Sequence, residues 1–179
     1  MTWEAFHHRG EVLHTVIAEA DVRRDGTLPM DLPGVAETFR GELDVLATLQ
    51  LRWHTRLAGR IERELAGQPL DLESAVVDAW RATADQLPGV RAILDRHAGD
   101  PADDAMAAVM AVSTAKERQM LAVMAGRVSS TDVEPHGQHI GEELEDRARG
   151  GWSDRCRRSP SGHAAGSAGS RRPAWRDDL

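Results

Sequence analysis

His7, Glu11 and His14 stand at positions i, i+4 and i+7, so on a helix their side chains share one stripe. Two imidazoles and a carboxylate in that arrangement are a ligand set suited to zinc, iron or manganese. His136, His139 and Glu143 repeat the chemistry at i, i+3 and i+7, but Pro135, Gly137 and Gly141 deprive them of a rigid support. Asp100, Asp103 and Asp104 cluster three carboxylates of the kind that holds magnesium against a diphosphate. Capping of a helix start accounts for two of them without any ligand. His54, beside Trp53 on an apolar seam, and His97, near a helix end where an imidazolium complements the dipole, read as structural.

Glu4 and His7 form a Glu-x-x-His pair, which resembles the ligand motif of carboxylate-bridged di-iron bundles. That resemblance implies a ferritin-like or hemerythrin-like metal-binding bundle using His7, Glu11 and His14, with His54 brought in by packing. Such bundles need a second Glu-x-x-His and further inward glutamates, and the later helices supply neither. On a helical wheel the stripe also lies well off the apolar centre marked by Phe6, Leu13 and Ile17. The expectation is therefore a solvated face, with no metal and no cofactor. Glu142-x-x-Glu145 and Glu143-x-x-Asp146 resemble part of the acidic pattern of all-α nucleotide pyrophosphatases, without the upstream acidic pair.

Lys116 falls on the apolar seam Met106, Val109, Ser113, Lys116, Met120 and Val123, where an ammonium is costly to bury unless it reaches water or a carboxylate. The expectation is a half-buried lysine that snorkels to water, with a register-fixing ion pair to Glu64 as the alternative. No Gly-rich phosphate loop, Gly-x-Ser-x-Gly elbow or His-Glu-x-x-His pair is present, so the reading leans away from an enzyme and assigns no catalytic residue. The single cysteine, Cys156, excludes an internal disulfide and a thiolate metal cluster.

Elements that would position these groups follow from periodicity. Trp3, Phe6, Leu13, Val16, Ile17 and Ala20 share a face of a helix over 2–24, stopped by Gly26. Phe39, Leu46 and Trp53, with Leu43, Leu49, Leu57 and Ile61, predict a second helix over 31–67, with Gly41 and Gly59 as bend points. Asp31 and Asp71, each preceded by Pro and an apolar residue, predict N-caps. A third helix follows over 72–86 and a fourth over 88–97; Asp100 is expected to cap a fifth that continues to about Gly126. A sixth over 137–149 is weak. No stretch alternates like a strand, so the class is an all-α bundle of about five helices, a single domain over 1–149 with its main core in 1–127.

Residues 150–179 are Gly-, Ser- and Arg-rich and read as a disordered tail. That segment carries +3 of a total of −7, which leaves −10 on 1–149. Arg155, Arg157, Arg158, Arg171 and Arg172 with Trp152 and Trp175 have the composition of a nucleic-acid contact, which the acidic body opposes. Absence of Tyr and Asn, and Lys116 as the sole lysine, fit GC-rich bacterial coding rather than selection for phosphate binding. With no apolar run of about 20 residues and no basic–apolar leader, the expectation is a cytoplasmic protein off the membrane. Its expected function is protein–protein interaction, by a protein partner or self-association through a bundle face.

Overall fold

The computed structural model describes residues 3–129 and 136–158, with side chains over 7–129 and 136–152. Seven helices and no strand occur among the described residues, so the all-α bundle is observed with two more helices than the five expected. Helix α1 (Trp3–Arg23) buries Val12, Val16 and Ala20, with Leu13 and Ile17 packed beside them. Trp3, Phe6 and Glu4 lie outside the described side chains.

The helix predicted over 31–67 is two. α2 (Val35–Thr38) follows Gly34 at φ 84°, and α3 (Glu42–Ala66) follows Gly41 at φ 153°. Both glycines take conformations that L side chains rarely adopt, so the chain breaks at Gly41 instead of bending there. Gly59 stays inside α3. Asp31 is not a cap: its carboxylate accepts from Arg23 at 3.0 and 3.1 Å.

α4 (Leu72–Gln86) begins as expected, with Asp71 accepting the Ser74 N–H at 3.0 Å. Such a cap contributes about 1 kcal/mol. α5 (Pro88–Gly99) has proline at its first turn and no cap of its own; Asp21 of α1 supplies one across the fold, accepting the Gly89 N–H at 2.8 Å. α6 (Asp104–Met124) is capped by Asp103, which accepts the Met106 N–H at 2.7 Å. Asp100, expected in that role, instead closes α5.

α7 (His136–Arg158) replaces the weak sixth helix and passes through the boundary drawn at 150. Trp152 is therefore part of the folded body. Its Nε1 donates to Asp85 at 2.9 Å, and its ring meets Trp80 edge-on at 6.2 Å. Residues 159–179, with Arg171, Arg172 and Trp175, and the side chains of Arg155, Cys156, Arg157 and Arg158, lie outside the described residues.

Contacts between helices close a ring in the order α3, α4, α7, α6. α5 packs on α3, α4 and α6, and α1 lies on α5 with α2 against it. Trp53, Trp80, Leu46, Leu49, Leu57, Ile61 and Leu121 are fully buried. Trp53 and Trp80 meet edge-to-face at 5.6 Å and 75°, a geometry worth about 0.5–1.5 kcal/mol beyond area burial.

Candidate functional site

His7, Glu11 and His14 do share a stripe, and all three are exposed along a shallow hollow with Gly10 and Thr15. His54 is not brought to them; it faces Glu117 of α6 at 3.8 Å. His136 is exposed, and His139 pairs with Glu143 at 3.4 Å on the surface of α7. Asp100, Asp103 and Asp104 are exposed at the start of α6. His97 directs Nδ1 to the Ile93 carbonyl at 2.8 Å within α5. Among the described residues, no three His, Cys, Asp or Glu side chains are grouped to hold a metal ion.

The predicted seam of α6 is rotated. Met106, Met110, Glu117 and Leu121 face the interior, whereas Lys116 is exposed, and Glu64, the alternative partner for it, pairs with Arg60 at 3.1 Å. Glu117 is 3% exposed. Its Oε1 accepts from Trp80 Nε1 at 3.1 Å, with Arg91 Nη1 at 3.6 Å. Arg91, 5% exposed, stands 4.7 Å over the Trp53 ring and bonds Asp95 through Nη2 at 2.7 Å and Nε at 2.9 Å.

From Asp95 the network runs into α7. Arg149 donates to both Asp95 oxygens, at 2.9 and 2.7 Å, and to Glu145 at 2.6 Å. Arg118 joins Glu145 at 3.0 Å and Glu142 at 3.0 Å. Leu144, Ala148 and part of Ile140 and Trp152 are the apolar anchors of α7, so polar contacts must do much of the docking. Arg147 pairs with Glu73 at 2.7 Å, and Arg81 donates to the Arg147 and Ala148 carbonyls. Guanidiniums and carboxylates that alternate across four helices fix register, because any slip leaves a charge buried without its partner.

Burial pushes the Asp95 and Glu145 carboxyls up. Hydrogen bonds and charge from Arg149 and Arg91 on Asp95, and from Arg149, Arg118 and Arg91 on Glu145, outweigh it and hold both below the usual range. For His54 burial dominates: it lowers the imidazole below its ordinary 6.5, Glu117 works against this, and Arg91 and Lys116 reinforce it. A base whose folded pKa is depressed binds its proton more readily unfolded, so stability is lost as pH falls through 6.5 towards the folded value. Asp95 and Glu145 add a separate loss at lower pH, below their ordinary 3.8 and 4.5. Urea unfolding between pH 8 and 5 is expected to show the first loss in the native chain and a flatter profile in His54→Gln. Equal slopes in the two proteins would remove His54 from the account.

An apolar surface lies across the bundle from α7. Leu43, Ala47 and Leu51 line one side of α3, and Leu43 and Ala47 border a groove of about 400 Å³ with Val109 of α6, Arg40 and Asp44. Exposed Val112 continues the α6 side. Comparison of the chain with protein-family models, curated proteins and solved structures finds no match. No described helix is long and apolar enough to cross a membrane.

Proposed function

We propose that this chain is a non-enzymatic helical module that acts by protein–protein contact, pairing with a second copy of itself through the α3/α6 face. The observation that supports this is the apolar row left in solvent: Leu51 is 67% exposed, Val112 55% and Leu43 37%. A two-fold pairing uses one patch twice, so each copy covers the other's three side chains. Covering a Leu or Val fully is worth about 1.5–3 kcal/mol, and these are partly covered already, so six such side chains give roughly 5–10 kcal/mol gross. Association costs about 4–15 kcal/mol, so a dimer forms only at the low end of that cost, and it is then weak and reversible. A reducing, cytoplasmic setting belongs to the same proposal, in keeping with the one cysteine.

Sedimentation velocity from about 1 to 200 μM is expected to show monomer passing to dimer in the micromolar range. Leu51→Glu with Val112→Glu is expected to weaken the dimer at least about tenfold, since each charge must be desolvated at the interface. Helix content should be unchanged. A native chain that stays monomeric at the top concentration ends the proposal.

A further inference from the structure

A second surface, on another side of α6, has the form of a small-molecule site. Between α5, α6 and the start of α7 lie two hollows of about 400 and about 390 Å³ that share Ala98, Thr114 and Arg118. They are two ends of one cleft. The first has an apolar wall of Ala98, Ala107, Met110 and Ala111. The second is the edge of the charge network, where Asp95, Glu145 and Arg149 reach the cleft.

Thr114 sits where the two ends meet and departs from the pattern of the threonines in the other long helices. Thr15, Thr48, Thr55 and Thr83, each inside a long helix, turn the hydroxyl back onto the carbonyl four residues earlier at 2.7–3.2 Å. The Thr114 hydroxyl makes no hydrogen bond among the described residues and is left facing the cleft. Gln138 borders the same space, with its amide free of any partner among the described residues. Unused polar groups that converge beside an apolar wall are what orients a ligand in such pockets.

Charge decides the kind of head group. Arg118, at the junction, already lies 3.0 Å from both Glu142 and Glu145, so an anionic head would add a third negative charge around one guanidinium. A cationic head would find Asp95 and Glu145 already engaged by arginines. We infer that the cleft binds an uncharged amphipathic carbonyl compound, of the amide, ester or lactone class, whose oxygen accepts from Thr114 and Gln138 while its apolar body lies against Ala107, Met110 and Ala111.

Octanamide is the probe, with octanoate and octylammonium matched to it in length but charged. Titration followed by amide and methyl NMR is expected to give saturable shifts at Thr114, Gln138 and Met110, with each ion binding at least about tenfold more weakly. Thr114→Val keeps the shape and removes the hydroxyl, and should weaken octanamide about fivefold, the worth of one neutral hydrogen bond. Ala111→Trp fills the apolar end and should abolish the shifts while helix content and melting are retained. Absence of saturable shifts, equal binding of the ions, or an unaltered affinity in Thr114→Val would each overturn the assignment.

Discussion

Glu117→Ala is expected to lower unfolding free energy by about 3–5 kcal/mol, the cost typical of breaking a buried charge pair from one side. Arg91 would stay 5% exposed, with Asp95 as its remaining counter-charge, and the Trp80 indole, fully buried, would lose the acceptor of its N–H. Such a loss is a large share of the roughly 5–15 kcal/mol available to a domain of ordinary stability. Replacing both partners is a different matter. Arg91→Met with Glu117→Leu removes the two charges together and puts apolar volume against Trp53 and Trp80, so the double variant should lie within about 2 kcal/mol of the native chain. Urea midpoints at constant slope make the comparison. A single variant that loses under about 1 kcal/mol, or a double variant worse than the single, would show that the pair does not hold α6 in register.

How much of this was legible in the sequence depends on whether the signal is local. Asp71 acts as a cap within one segment, and the helix it starts was readable from Leu72 to about Gln86. The seven-residue spacing of Leu46 and Trp53, with Leu57 and Ile61, marked the buried face of α3 for the same reason. Charge burial is not local. Lys116 and Glu117 are neighbours in sequence, and a heptad seam laid through Val109 and Val123 selects the lysine. Glu117 is the buried one because Arg91 of α5 and Trp80 of α4 meet it there, and no spacing along α6 carries that information. Asp31 fails as a cap for a similar reason, since Arg23 claims its carboxylate across a loop. α7 was underrated because its glycines and charges count against a helix taken alone. Within the bundle those residues dock it: Glu145 and Arg149 join the network, and Gly141 permits close approach. One signal was there to be found, since Gly141, Leu144, Ala148 and Trp152 recur at intervals of three and four residues.

Gly141→Ala follows from that approach and is expected to cost about 3 kcal/mol, the upper end of what overpacking usually costs. A Cβ built on Gly141 would fall inside the Arg118 carbonyl and its neighbouring backbone atoms, which cannot swing aside as a flexible side chain can. Relief requires α7 to move off α6, and movement there lengthens the Arg118 contacts to Glu142 and Glu145 that hold the two helices together. Propensity works in the opposite direction, because alanine favours a helix over glycine by about 1 kcal/mol. Gly59→Ala isolates that gain: in the middle of α3, a Cβ at Gly59 meets nothing within 4 Å, so the change should be neutral or stabilising by up to about 1 kcal/mol. The two variants make the same chemical change, and only Gly141→Ala should lower the urea midpoint. If Gly141→Ala instead matches Gly59→Ala, the backbones of α6 and α7 do not touch at this crossing, and the docking of α7 rests on its ion pairs and its apolar anchors Leu144 and Ala148.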